Sequence, residues 1–341
     1  LGDVYKRQEC DSRRILPGSC YIALKGTRAD GHEFIPEAIR RGACAVVAEM
    51  PCTQEAREAG VSWVEVNDSR LAVSLMGAAW NGRPSRHMAM IGVTGTNGKT
   101  TTAYIAHSLL KQSWLRAGLI GTIAYDNGEE ITPSTHTTPG PLELEHLLKE
   151  MYENGCRGVS MEVSSHALDQ ERVAGINFNV GIFTNLTQDH LDFHVTMENY
   201  CDAKAILFRN CGVGVVNGDD PWTHRLLKDA TCQVRTYGVK SEADLRAENV
   251  VLSANGIAFD AVTKTERVPI RVNIPGGFMV YNTLDVLGAA LALGVSLKDS
   301  AAVLAKVPHV QGRVEVVPTP GKDYTILIDY AHTPDLSLIH I

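Results

Sequence analysis

The chain has 341 residues, 44% apolar and 21% charged, the composition of an ordinary globular protein of two or three domains. Its formal net charge of −7 argues against a broad nucleic-acid surface, while local basic clusters for small anions remain open. Eight cysteines are scattered without a C-x-x-C spacing and no secretory leader is read, so reduced thiols in a cytoplasmic protein are expected.

Leu1–Gln8 and Leu336–Ile341 fit no pattern of their neighbours, and both are expected to be artefactual tails. Residues 9–87 alternate short strands and helices. Strands are predicted at Cys20–Leu24, Ala43–Glu49 and Val61–Val66, and a helix over Gly31–Gly42 that Gly42 closes. A second helix follows Asp68 or Ser69, either of which can cap it.

Residues 88–308 form the predicted central domain. Its first strand, "MAMIGVTG" (Met88–Gly95), runs into a glycine-rich turn and a helix from Lys99. "GVSMEVSS" and "VGIFTNL" are short, apolar and β-branched, as buried parallel strands are, and a helix over Pro141–Gly155 precedes them. Such alternation predicts an α/β fold with a doubly wound, mainly parallel sheet. "CGVGVVNGDD" reads as another strand with a polar turn. Residues 246–276 read as antiparallel β with a turn at Asn255-Gly256, and Tyr281–Gly294 as a helix. Val286–Leu297, the longest apolar stretch, falls short of the roughly 20 residues that span a bilayer and reads as a core helix. A third unit is expected over 309–335, and the chain stops soon after its strand-like "YTILIDY".

The turn "GTNGKTT" carries the first chemistry. A standard phosphate loop, G-x-x-x-x-G-K-[ST], needs glycine at position 93, where valine stands. The physics survives the altered spacing. Gly95 and Gly98 permit close backbone approach, and the helix behind them aims its first N–H groups at an anion. Lys99 can reach phosphates and Thr100 can ligate Mg²⁺. A tight strand–helix turn with an incidental lysine is the alternative. Glu162 ends a buried strand, where open α/β sheets place ligands, and Mg²⁺ would suit its charge; an N-capping or salt-bridged glutamate is the other reading. His190 follows a second such strand, with Asp189 and Asp192 beside it as turn-ordering residues. As bare sequence, His190 only hydrogen-bonds its loop. Lys204 in "CDAKAILF" reads, alone, as a solvated helix lysine.

The compact loop resembles the ATP loop of the Mur ligases and their folate-polyglutamate relatives. "DSRRILPGSCYIALKGTRADGHEFI", "MEVSSHALDQERV", "FTNLTQDHLDFH", "ENYCDAKAILF" and "DYAHTPD" extend the resemblance over about residues 9–335. They narrow it to the branch that adds the third residue of the peptidoglycan stem peptide. The resemblance implies a small N-terminal domain for the UDP-substrate, a central ATPase domain and the beginning of a Rossmann-like C-terminal domain. It implies an ATP- and Mg²⁺-dependent amide ligase of the cytoplasm, monomeric and without nucleic-acid or membrane partners. Its substrates would be UDP-N-acetylmuramoyl-L-Ala-D-Glu and a diamino acid, meso-diaminopimelate or L-lysine, joined through an acyl phosphate.

Residue by residue, the resemblance implies ATP contacts at Gly95, Thr96, Asn97, Gly98, Lys99, Thr100, Thr101, Asn282, Arg313 and Asp329. The family's "FNVYN" stands here as "FMVYN", with Met279 in place of the first asparagine. Metal ligands would be Thr100, Glu162, His190 and Lys204, the lysine as an N6-carboxylysine; Lys99, Glu162, His190 and Lys204 would form the catalytic set. Ser12, Thr27, Arg28 and Ala29 would hold the uridine diphosphate, although as bare sequence they are loops. Thr137, Thr138, Ser164, Gln170 and Arg172 would hold the muramoyl-dipeptide, Arg172 with the geometry for a bidentate carboxylate or phosphate contact. Two other readings stay open, a sibling ligase of the same family and an ATP-binding module without ligase activity.

Overall fold

The computed structural model describes residues 7–26, 29–114, 116–321, 324 and 326–331. They divide into two compact units, one of residues up to 84 with 139–149 and 170–176, the other of the remainder.

The first unit is built on a four-stranded parallel sheet of β1 (Arg7–Glu9), β2 (Ser19–Ile22), β3 (Ala43–Ala48) and β4 (Ser62–Glu65), in that order. Alternate residues fill two apolar clusters: Tyr21, Ala23, Val46 and Ala48 in one, Cys20, Ile22, Ala45 and Val47 in the other. Helices α1 (Ile35–Arg40), α2 (Gln54–Glu58) and α3 (Ser69–Trp80) complete it. Asp68 is the cap of α3, with Oδ1 accepting from the Arg70 and Leu71 N–H groups at 2.9 Å. The tail expected over Leu1–Gln8 overlaps the fold at its end. Arg7 and Gln8 pair with Ser19 and Cys20, and Gln8 Nε2 donates to the Met76 carbonyl at 3.2 Å. Residues 1–6 and 336–341 lie outside the described residues.

Glu145 is buried in this unit, against Gly77 and Gly175, and its Oε2 has no hydrogen-bond partner among the described residues. Burial pushes the carboxyl from 4.5 up to about 7. The folded state therefore holds this proton more tightly than the unfolded chain. Stability falls as pH rises between those two values, and the full penalty stands above the upper one. Glu145→Gln is expected to raise stability at pH 8 by on the order of 2–3 kcal/mol and to change it little at pH 4. Urea midpoints at both pH values check this; equal shifts at the two would refute it.

The second unit carries an eleven-stranded sheet. Its elements run β5 (Ala89–Thr94), α4 (Lys99–Trp114), β6 (Ala117–Ile120), β7 (Ala124–Asp126), β8 (Ile131–Pro133), then the last turn of α5 (Pro141–Glu153). There follow β9 (Gly158–Glu162), α6 (Ser165–Asp169), β10 (Phe178–Phe183), α7 (Leu191–His194), α8 (Met197–Arg209), β11 (Cys211–Asn217), α9 (Thr223–Leu226) and β12 (Gln233–Gly238). Three longer strands come next, β13 (Leu245–Ser253), β14 (Gly256–Val262) and β15 (Arg267–Val272), then α10 (Phe278–Ala292) and α11 (Leu297–Leu304). The strand order is 15-14-13-12-11-10-5-9-6-7-8. β13 through β6 in that order are all parallel, β14 and β15 add antiparallel pairs beyond β13, and β7 and β8 turn back antiparallel at the other end. Ile91, Val93, Val180 and Ile182 pack one face with α4 and α10. Leu207 and Phe208 of α8 lie on the other, against Gly181 and Gly214. Helices on both faces make the sheet doubly wound.

One expectation changes here. Val286–Leu297 is two helices, because Gly294, at φ +83°, ends α10 and Ser296 caps α11. The β6–β8 meander was not legible, since its strands of three or four residues are too short to show alternation. Residues after 309 group with the second unit, where β16 (Glu315–Val317) and β17 (Ile326–Ile328) form an antiparallel pair. So short a piece cannot close a core of its own, and Ile326, Leu327 and Ile328 are exposed. No described helix is long and apolar enough to cross a membrane.

Candidate active site

The C-terminal ends of β5, β9, β10 and β11 reach one edge of the sheet, and the turns after them line a cavity of about 790 Å³. Gly95 and Gly98 take φ +147° and +88°, values open to glycine, which is why a compact loop fits between β5 and α4. The exit of β10 braces that loop. Thr96 and Asn97 donate their N–H groups to the Asn185 carbonyl (2.8 Å) and Oδ1 (2.9 Å), and the Thr184 hydroxyl donates to the Asn97 carbonyl (2.6 Å).

Two lysines converge on the loop. Lys99 Nζ donates to the carbonyls of Thr96 (2.7 Å) and Gly95 (3.1 Å). Lys204 Nζ donates to the same Gly95 carbonyl at 2.8 Å and lies 4.3 Å from the centre of the Tyr200 ring. Lys204 is therefore not the solvated helix lysine that its own stretch suggests. It is 1% exposed, on the face of α8 turned to the sheet with Ala203, Leu207 and Phe208. Burial, reinforced by the charge of Lys99, drives its pKa well below 10.5; burial lowers that of Lys99 too, against the pull of Glu162 and Asp189.

Glu162 is buried and held by neutral donors: the Thr122 N–H (2.7 Å), the Thr122 hydroxyl (3.1 Å) and the Thr100 hydroxyl (3.0 Å). It neither caps a helix nor forms an ion pair among the described residues. Arg313 Nη2 donates to Thr100 Oγ1 at 3.1 Å, bringing a guanidinium to the same oxygen pair. His190 sits at φ +51° at the head of α7, its N–H on Asp189 Oδ1 (2.8 Å), its ring edge-on to His166 at 4.9 Å. Burial lowers its pKa, so the imidazole is neutral at pH 7.

Thr100 and Glu162 offer hard oxygens 3.0 Å apart, the donor type that Mg²⁺ takes. Among the described residues no three His, Cys, Asp or Glu side chains gather into a closed ion site. The pair suits an ion that draws its remaining ligands from a phosphate substrate, the usual habit of Mg²⁺.

Lys99, Thr100, Glu162, His190, Lys204, Asn282, Arg313 and Asp329 all line this cavity, with Thr96, Asn97, Gly98, Thr101, Thr137 and Ser164. Gly95, in the same loop, does not line the cavity. Thr138 is buried beneath it, its hydroxyl donating to the Glu162 carbonyl (2.9 Å) and accepting the Ser164 N–H (3.1 Å). Ser164 Oγ accepts the Ala167 N–H at the start of α6. Met279 is buried, its sulfur 3.9 Å from Asn282 Nδ2. Ser12, Ala29, Gln170 and Arg172 belong to the first unit. Ser12 is buried in a short turn, Ala29 O accepts the Gly26 N–H (3.0 Å), and Arg172 donates to Gln170 Oε1 at 2.7 and 3.1 Å. Thr27 and Arg28 lie outside the described residues.

Sequence reasoning missed Thr122, Tyr200 and Asp219. Tyr200 stands in a quoted stretch, four residues before Lys204 on the same helix face, a spacing that could have flagged it. Asp219 follows β11 and receives the Tyr281 hydroxyl (3.0 Å) and the N–H groups of Val239, Lys240 and Ser241. Burial alone would raise its carboxyl, but these bonds win and hold it at about 2. Thr122 has no sequence signal.

Models of known families match most of the chain: the Mur ligase middle domain over residues 93–290, and the catalytic domain of the Mur ligase family over 5–80. The UDP-N-acetylmuramoyl-L-alanyl-D-glutamate–2,6-diaminopimelate ligase of Geobacillus kaustophilus is 43% identical, over 96% of this chain and 68% of its own. The protein of the same name from Clostridium botulinum is 41% identical with the same coverage. A solved structure bearing that name superposes with a TM-score of 0.82 at 28% identity, over 97% of this chain and 68% of the other.

Proposed function

The chain belongs to the Mur ligase family, whose members are ATP-dependent ligases, and we propose that it joins 2,6-diaminopimelate to the D-Glu of UDP-N-acetylmuramoyl-L-alanyl-D-glutamate. The step belongs to peptidoglycan synthesis, in the cytoplasm and by a monomer acting on soluble substrates. The observation that carries the reading is the meeting, at one sheet edge, of a phosphate loop, Lys99, the buried Lys204 and the Thr100–Glu162 oxygen pair. The names of relatives at 41–43% identity favour diaminopimelate over lysine.

In this reading the D-Glu γ-carboxylate oxygen attacks the γ-phosphorus of ATP, the bond to the β–γ bridging oxygen breaks, and ADP leaves. The diaminopimelate amine then attacks the acyl carbon. The tetrahedral intermediate expels phosphate, and the amine nitrogen gives up a proton. The loop N–H groups, the N-terminus of α4, Lys99 and Arg313 hold the phosphates and neutralise charge as it shifts. Asn282 and Asp329 take the rest of the nucleotide. Mg²⁺, held by Thr100, Glu162, His190 and a carboxylated Lys204, would supply further neutralisation of the transferring phosphoryl group. Lys204 reaches that form when its neutral amine attacks CO₂, forming an N–C bond and releasing a proton; the product is an anionic carbamate. In the first unit Ser12, Thr27, Arg28, Ala29, Gln170 and Arg172 are the proposed contacts of the UDP-substrate, in the second Thr137, Thr138 and Ser164.

Phosphate release tests the reading. It is expected to need ATP, UDP-muramoyl-L-Ala-D-Glu and meso-diaminopimelate together, and to be at least about tenfold slower with L-lysine, a discrimination worth about 1.4 kcal/mol. Equal release with UDP-muramoyl-L-Ala and D-Glu would instead make the chain a sibling ligase.

A further inference from the structure

Helices α4 and α10 meet beside the phosphate loop at two matched points. Gly98, just before α4, lies so close to Asn282 of α10 that a Cβ on it would stand 2.6 Å from Asn282 Oδ1. One turn on, the Thr102 hydroxyl donates to Asp285 Oδ2 of α10 at 3.1 Å. The steps are four residues on one side and three on the other, so both contacts fall on facing stripes of the two segments. Asp285 is fully buried, and its Oδ1 has no hydrogen-bond partner among the described residues. Burying a carboxyl with a single side-chain partner is costly. An apolar side chain would remove that cost, and with it the directional contact that stops α10 sliding along α4.

We infer that Asp285 is a positioning residue for the nucleotide: through Thr102 it holds α10 in register with the phosphate loop, so that the Asn282 carboxamide faces the cavity beside Gly98. Asn282, Gly98 and Lys99 line the cavity and Asp285 does not, so it acts through its neighbours. Burial raises its carboxyl well above the usual range, against the pull of the Thr102 hydrogen bond. The inference rests on the reading of this cavity as a nucleotide site.

Titration calorimetry with Mg²⁺-ADP separates the two. Asp285→Ala and Thr102→Val are each expected to weaken ADP binding about fivefold, the worth of one hydrogen bond. The double variant should be no weaker than either single one, because both remove the same contact. Asp285→Asn, whose amide oxygen still accepts from Thr102, should bind within about twofold of the unaltered chain and restore what alanine loses. Should Asp285→Ala fail to fold, Thr102→Val alone carries the comparison. Failure of the unaltered chain to bind ADP would overturn the nucleotide reading and this inference with it. Unaltered binding, together with variants that melt lower yet bind equally well, or with Asn as weak as Ala, would overturn this inference alone.

Discussion

Replacing Lys204 with alanine is expected to lower ATP-cleaving turnover by about two to three orders of magnitude while leaving the melting temperature unchanged or higher. The two halves of that expectation have one origin. The Lys204 amine is 1% exposed and set against Lys99, so as a cation it is held in the fold at a cost. As a carbamate it would become an anion beside the positive charge of Lys99, where it is favoured. Alanine removes both the burden and the ligand. A thermal melt and a phosphate-release assay on the same preparation read the two effects. Removal of dissolved CO₂ and bicarbonate should lower the turnover of the unaltered chain and leave Lys204→Ala unaffected. A variant with full turnover, or one that bicarbonate still stimulates, would refute the carbamate.

Gly95→Ala should be nearly as severe, through the backbone. At φ +147° a side chain is strained whatever the space, and here the space is taken: a Cβ would lie inside the Thr184 hydroxyl and 3.1 Å from the Asn185 carbonyl. Those are the groups through which β10 holds the loop, so the loop and its brace must part. Strain of this kind costs about 1–3 kcal/mol before any contact is lost. ADP affinity is expected to fall by about a hundredfold, the equivalent of roughly 2.7 kcal/mol. Gly140→Ala, with nothing within 4 Å of its Cβ and no positive φ, is the matched control and should bind ADP normally. Binding by the two variants to the same extent would show that the loop tolerates a rearranged Gly95.

What the sequence made legible is what local pattern encodes. The strands β5, β9 and β10 are short apolar runs, and their exits carry polar residues at the edge where such sheets bind ligands. The compact loop declared itself because glycine, lysine and threonine lie side by side in the chain. Lys204 did not, since its burial depends on where α8 lands on the sheet; one charged residue between two alanines fits either face. Glu145 hid in the same way, one step from Leu144 on a helix with an ordinary amphipathic pattern. Thr122 was invisible because its role is a backbone N–H and a hydroxyl aimed at Glu162, 40 residues away. The bond between Thr102 and Asp285 spans 183 residues, and nothing at either end announces the other.

The strand order has a consequence in time. β5 bears the phosphate loop, yet its two neighbours in the sheet are β9 and β10, and β6 is a strand removed. From Thr94 to Phe178 is 84 residues (178 − 94). At a synthesis rate of about 5–20 residues per second, β5 would wait roughly 4–17 s for its last partner to be made. Through that interval an apolar strand has open hydrogen-bonding edges on a growing chain. The part of the molecule on which the site depends most is thus made early and secured late, and a ribosome that pauses between β5 and β10 lengthens its exposure.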